Sequence, residues 1–223
     1  MIRPLFAFAA AILAIAAAPA KDWRQTTGVA PSGGFTVGNS AAKVTLVEYL
    51  SYTCSHCGDF VAASKAVLHD QMVRGGSVRV ETRSAARDPY DLAAWLLARC
   101  GGPRRFAALN AAIFARQEAW MTKGDAYAQA NLATLKAMPQ LKQMRAIIDN
   151  SGLSAIGATA GVGPAQLTAC LANDAELKTV LAMTEAAFKR IPGTPGFEIN
   201  GTLVDGVASW GPLEPKLRAA GAR

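Results

Sequence analysis

Cys54-Ser55-His56-Cys57 is the stretch best equipped for chemistry in this 223-residue chain: two cysteines two residues apart, with an imidazole between them. It stands where a β-branched and aromatic run, Lys43 to Leu50 (KVTLVEYL), gives way to Phe60, Val61, Val67, Leu68 and Met72 at helical spacing. A cysteine at a strand-to-helix junction meets the unsatisfied N–H groups and positive dipole end of the helix, which favour a thiolate. His56 can add a positive charge or a hydrogen bond to it. Stabilising the thiolate stabilises the reduced pair, so the disulfide becomes an oxidant that opens readily to an incoming thiol. Cys57, one turn further in, is placed to be buried and to resolve a mixed disulfide. Two blander readings fare worse. Zinc wants four ligands, and the remaining candidates are two single cysteines and His69 in a predicted helix, so no metal is expected. As a staple, a four-residue loop removes little entropy from the unfolded chain.

Three further features bear on this chemistry. Glu48 shares a strand face with Val44, Leu46 and Leu50, where a carboxylate is costly unless paired or protonated. It can exchange a proton with the cysteine pair, or it can find a Lys or Arg partner; the residues leave both open. Thr194-Pro195, in IPGTPGFEING, leads into a predicted strand, and most X–Pro bonds are trans. Cys100 and Cys170 complete an even cysteine count, which in an exported chain argues for bridges: Cys54–Cys57 and Cys100–Cys170 are the expected pairs, with two buried free thiols the alternative for the second.

Export is expected from the N-terminus. Arg3 precedes an unbroken apolar run, Leu5 to Ala18, and Ala18-Pro19-Ala20 fits a small-x-small cleavage site, so residues 1–20 are expected to be a cleavable signal peptide. The formal net charge is +7, but Lys and Arg are dispersed and no aromatic-basic interleaving marks a nucleic-acid surface. No nucleic-acid partner is expected.

The elements that must position the pair follow a βαβ order. Strand 43–50 and the helix ending at Gly75-Gly76 are followed by an alternating run, Ser77 to Arg83. Residues 21–39 read as an extended lead-in. From Asp88 to about Asn173 the texture is helical, with Phe106, Leu109, Ile113 and Trp120 on one segment and Leu132, Leu135 and Met138 on the next. Pro164 suits a helix start, and Asn173-Asp174 a cap. Asn200-Gly201 between apolar runs predicts a hairpin, and a last helix should start after Ser209.

VTLVEYLSYTCSHCGDF, followed much later by GTPGFEING, resembles the DsbA-like thiol–disulfide oxidoreductases of the bacterial periplasm. The resemblance covers most of the chain after residue 20 in order of elements. It implies a thioredoxin-like α/β fold, a central mixed sheet flanked by helices, with an inserted all-helical domain. The expected division is 21–84 and 174–223 for the two parts of the thioredoxin-like domain and 85–173 for the insertion. It implies a cis Thr194–Pro195 bond beside Cys54, with the Thr194 backbone pairing to substrate, and it favours a functional Glu48, six positions before the first cysteine. Cys54, Ser55, His56, Cys57, Thr194, Pro195 and Glu48 are therefore the expected site. No cofactor is implied beyond the redox-active Cys54–Cys57 disulfide. The implied partners are unfolded exported proteins with free thiols and a DsbB-like membrane quinone reductase; the expected location is the periplasm and the expected state a monomer. The best-known member has proline where this chain has Ser55. A reductase or isomerase, and a non-catalytic peptide- or metal-binding carrier, are the alternative readings.

Overall fold

The computed structural model describes residues 21–223; the leader expected over 1–20 lies outside them. Six strands form one mixed sheet: β1 (Thr27–Val29), β2 (Phe35–Gly38), β3 (Val44–Leu50), β4 (Val78–Ser84), β5 (Gly196–Ile199) and β6 (Thr202–Leu203), in the order β1-β2-β4-β3-β5-β6. Among these described strands only β3 and β4 run parallel, Val44 to Leu50 pairing with Val78 to Ser84; β5 lies antiparallel to β3 on its other side. Six of the seven β3 residues are buried, because both faces of this central strand are covered. That explains the near-continuous apolar run read from the sequence.

Two parallel neighbours need a crossover, and α1 (Ser55–Ser64) supplies it, running on with π geometry over Lys65–Val73. The helices α2 (Pro89–Cys100), α3 (Gly102–Ala115), α4 (Gln117–Ala137), α5 (Gln140–Asn150), α6 (Leu153–Thr159) and α7 (Pro164–Cys170) follow in succession. α8 (Ala175–Arg190) then returns the chain to β4, and α9 (Trp210–Ala220) closes over α1. α2 is the centre of this helical block: everything from Asp91 to Cys100 is buried, against α3, α5, α6 and α8. A disulfide, Cys100–Cys170, joins the ends of α2 and α7, with Cα atoms 5.6 Å apart.

Several local expectations meet their elements. Asn200 and Gly201 take φ of 50° and 81°, the left-handed pair that a two-residue hairpin turn between β5 and β6 requires. Pro164 opens α7, and the Asn173 side chain accepts the Ala175 N–H at 3.0 Å. The lead-in differs from expectation: it holds a β1–β2 hairpin, short strands whose apolar alternation is too brief to read. The helical stripe differs too. Trp120 belongs to α4, not to the helix of Phe106, Leu109 and Ile113, because the chain breaks at Arg116. Leu132 is half exposed while Leu135 is buried, so α4 presents one of the two to the core.

Candidate active site

The redox pair grows out of β3. After Leu50 the chain turns through Ser51-Tyr52-Thr53, and Cys54 takes the extended N-cap position of α1, φ −96° and ψ 116°. Its sulfur therefore lies at the positive end of the helix, without a side-chain cap hydrogen bond; the Cys57 and Gly58 N–H groups bond the Cys54 carbonyl. Cys57 is fully buried one turn on, and Cys54 is nearly so; both are thiols. The Ser51 N–H points at the Cys57 sulfur at 3.5 Å.

On the other side of Cys54 stands the β5 approach. The Thr194–Pro195 bond is cis, and the Cys54 S–H donates to the Thr194 carbonyl at 3.3 Å. Residues 140 positions apart thus meet because β5 pairs with β3 and delivers Thr194 to the end of β3 that launches α1.

This setting splits the two thiols. The Cys54 thiol is lowered to about 5, chiefly by a hydrogen bond from the Cys57 thiol; the Thr194 side chain, the Cys57 N–H and the Arg87 cation add to it, against burial. Cys57 is pushed far up, first by burial and then by its bond to Cys54. The surroundings make one sulfur ready to ionise and the other reluctant, which is the asymmetry a thiol–disulfide exchange pair needs.

The remaining expected residues divide. Ser55 and His56 are exposed on the first turn of α1, and His56 makes no side-chain hydrogen bond among the described residues. The charge next to the thiolate comes from Arg87 instead. Glu48 is buried in β3 and touches neither cysteine. Its Oε2 accepts a long 3.5 Å bond from the Thr82 hydroxyl, and its Oε1 has no partner; no Lys or Arg among the described residues reaches it. Burial raises it to about 8. It lines a cavity of about 260 Å³ with Phe35, Val61, His69 and Phe106, between the sheet, α1 and α3.

Several site residues carry no signal of their own in the sequence. The Gln117 amide, from the first turn of α4, donates to the carbonyls of Tyr52 (2.8 Å) and Cys54 (2.9 Å). Gly58 allows this approach: a Cβ there would lie 3.0 Å from the Gln117 Oε1. Tyr52 packs its ring against Trp95 and Phe114, centroids 4.9 and 4.8 Å away. Its hydroxyl donates to Asn110 at 2.9 Å. The helical block therefore holds the loop that carries Cys54. A signal existed for one further residue, Asp91: it lies four positions before Trp95 on the apolar face of α2.

A family model described as Thioredoxin matches residues 31–215. The chain belongs to the thioredoxin family. The solved protein-disulfide isomerase from Novosphingobium aromaticivorans is 33% identical, with a TM-score of 0.75, covering 82% of this chain and 95% of that one. Wolbachia pipientis alpha-DsbA1, at 17% identity, shares the fold alone: its TM-score is 0.65 over 86% of this chain and 92% of that one. A Rickettsia bellii relative, named "Putative protein-disulfide oxidoreductase", is 27% identical over 172 residues, 76% of this chain and 58% of that protein. The chain spans just over half the length of the curated relatives it matches. The helices between β4 and α8 enter after the parallel strand pair is complete and leave that pair's C-terminal edge to carry the cysteines.

Proposed function

We propose that this DsbA-like chain is a periplasmic dithiol oxidant that introduces disulfides into exported proteins through Cys54–Cys57. The observation that carries the reading is the split between the two thiols: a stabilised Cys54 thiolate at a helix N-cap, beside the Thr194 carbonyl, and a buried Cys57 that resists ionisation. A substrate thiolate attacks the Cys54 sulfur of the oxidised pair. The Cys54–Cys57 bond breaks, a mixed disulfide forms at Cys54, and Cys57 takes up a proton. A second substrate thiolate attacks the substrate sulfur of that mixed disulfide, and Cys54 leaves as the thiolate. Two electrons have then passed to the enzyme, and a DsbB-like membrane quinone reductase removes them. Thr194 and Pro195 lie where an extended substrate segment can pair beside Cys54, and Ser55 and His56 form the exposed rim that it meets; Glu48, raised to about 8 by burial, hydrogen-bonds neither cysteine and takes no direct part in proton transfer with them. The enzyme acts as a monomer after its signal peptide is removed.

The redox equilibrium of the pair against glutathione tests the direction. An oxidase should lie near the strongly oxidising end, about −120 mV, and a reductase near about −270 mV. Cys57→Ser should accumulate mixed disulfides with substrate on non-reducing gels, and Cys54→Ser should form none. A potential at the reducing end, or an adduct-free Cys57→Ser, refutes the oxidase.

A further inference from the structure

Where β3 and β4 end side by side, two backbone N–H groups leave the sheet without a ladder partner: Tyr52, just past β3, and Arg87, just past β4. Buried groups of this kind need acceptors. Asp91, fully buried on the first turn of α2, meets both, its Oδ1 accepting from Tyr52 at 2.8 Å and its Oδ2 from Arg87 at 3.0 Å. Asp88 works beside it. Its Oδ1 caps α2 through the N–H groups of Tyr90 and Asp91, and its Oδ2 accepts the Thr53 hydroxyl at 2.6 Å. The Arg87 guanidinium then reaches over the loop, Nε donating to the Ser51 hydroxyl at 3.0 Å and a second nitrogen to the Thr53 hydroxyl at 3.4 Å. Thr53 directly precedes Cys54.

We propose that Asp91 is a positioning residue for the redox pair: by binding the Tyr52 and Arg87 N–H groups it holds the Arg87 cation over Ser51 and Thr53, beside the Cys54 sulfur. The root of the helical block is thereby part of what sets the thiolate. The proposal deepens the oxidant reading and rests on Cys54 being the sulfur that exchanges. The charged and titratable groups around the clasp are Arg87, Asp88, Tyr52 and the two cysteines, and Arg87 is the cation that favours the Cys54 thiolate.

Positioning and plain electrostatics predict different shifts of the Cys54 titration. If Asp91 acts by holding Arg87, removing it lets the cation drift and the Cys54 thiolate loses support. If Asp91 acts only as a nearby charge, removing it leaves the midpoint in place or lowers it slightly, since burial raises Asp91 to about 7 and it is largely protonated where Cys54 titrates. The test is the pH titration of Cys54 in the reduced full chain, followed by thiolate absorbance at about 240 nm, the ordinary thiolate band, for wild type, Asp91→Ala, Asp91→Asn, Arg87→Gln and the Asp91→Ala/Arg87→Gln double variant. Arg87→Gln should move the midpoint up by about 0.3 on the pH scale, the size expected for an exposed and partly screened cation, with about a twofold fall in oxidising equilibrium constant against glutathione. Asp91→Ala should move it the same way. Asp91→Asn, which keeps one acceptor oxygen, should move it less. In the double variant Asp91→Ala should add nothing. A lower midpoint in Asp91→Ala, an unmoved midpoint in Arg87→Gln, or additive effects in the double variant overturns the proposal. A merely structural Asp91 would lower the urea midpoint and leave the thiolate titration in place, which also overturns it. Should Asp91→Ala not fold, Asp91→Asn and the exposed Arg87→Gln carry the test. The titration reads the sulfur whichever way electrons flow, whereas failure of wild type to oxidise a dithiol peptide refutes the function alone.

Discussion

Reduced and oxidised protein should differ in stability by an amount that grows with pH between about 4 and 7. The Cys54 thiol sits at about 5 in the folded chain, against about 8.5 for a free cysteine. A depressed acid contributes stability that is fully present above the unfolded value and is lost as pH falls through the folded one. At about pH 4 both states hold the proton and the contribution is near zero. At about pH 7 the folded thiol is ionised and the unfolded one is not, which amounts to about 2.7 kcal/mol before screening and ~1–2 kcal/mol once solvent access to the sulfur is allowed for. Cys57, pushed up, adds nothing over this range. Glu48 and Asp91 also titrate near neutrality, but they do so in both redox forms and cancel in the difference. Urea unfolding of the oxidised protein and of the protein held reduced, in steps from about pH 4 to 7, measures it. The reduced form should gain on the oxidised form steadily from about pH 5 upward. A difference flat across that range, or a thiolate midpoint near the free-cysteine value of about 8.5, refutes the assignment of a stabilised thiolate to the N-cap sulfur.

Glu48 and the second disulfide lead to two more expectations. Burial raises Glu48 to about 8, so its carboxyl costs the fold progressively more as pH climbs past about 4.5. Glu48→Gln should therefore gain ~2–3 kcal/mol of stability on wild type between about pH 4 and pH 7 by urea unfolding, and an unchanged difference would contradict it. Replacing Cys100 and Cys170 by Ala opens a loop of 70-residue separation and should cost about 4 kcal/mol, read as a lower urea midpoint in the double variant under non-reducing conditions.

What could be read from the chain alone was local. β3 announced itself by β-branched residues, the β5–β6 turn by Asn200-Gly201, and the cysteine pair by its spacing at a change of period. The β1–β2 hairpin was not legible, because strands of three and four residues leave periodicity too little length to work with. The site was half legible for a related reason. Cys54 and Cys57 are close in sequence, but Arg87, Asp91 and Gln117 reach them only because parallel pairing brings the end of β4 beside the end of β3, and because α4 packs its first turn on that loop. His56 looked like the cation for the thiolate by proximity in sequence; the fold turns it to solvent and uses Arg87. Asp91 did carry a trace, as the acidic residue on an otherwise apolar helix face, of the same kind that marked Glu48.

The Cys100–Cys170 bond has a mechanical meaning as well as a thermodynamic one. A chain pulled from its two ends cannot release the segment enclosed by a covalent cross-link, so roughly 240 Å of extended contour, at ~3.4 Å per residue over a separation of 70, stays hidden while the bond holds. Tension would run from α2 through the two sulfurs to the last residue of α7 and on to α8, bypassing α3 to α7. The helices that carry Gln117 and Phe114 therefore lie in a closed ring off the load path, and the first parts of the molecule to yield under force would be the sheet and its flanking helices.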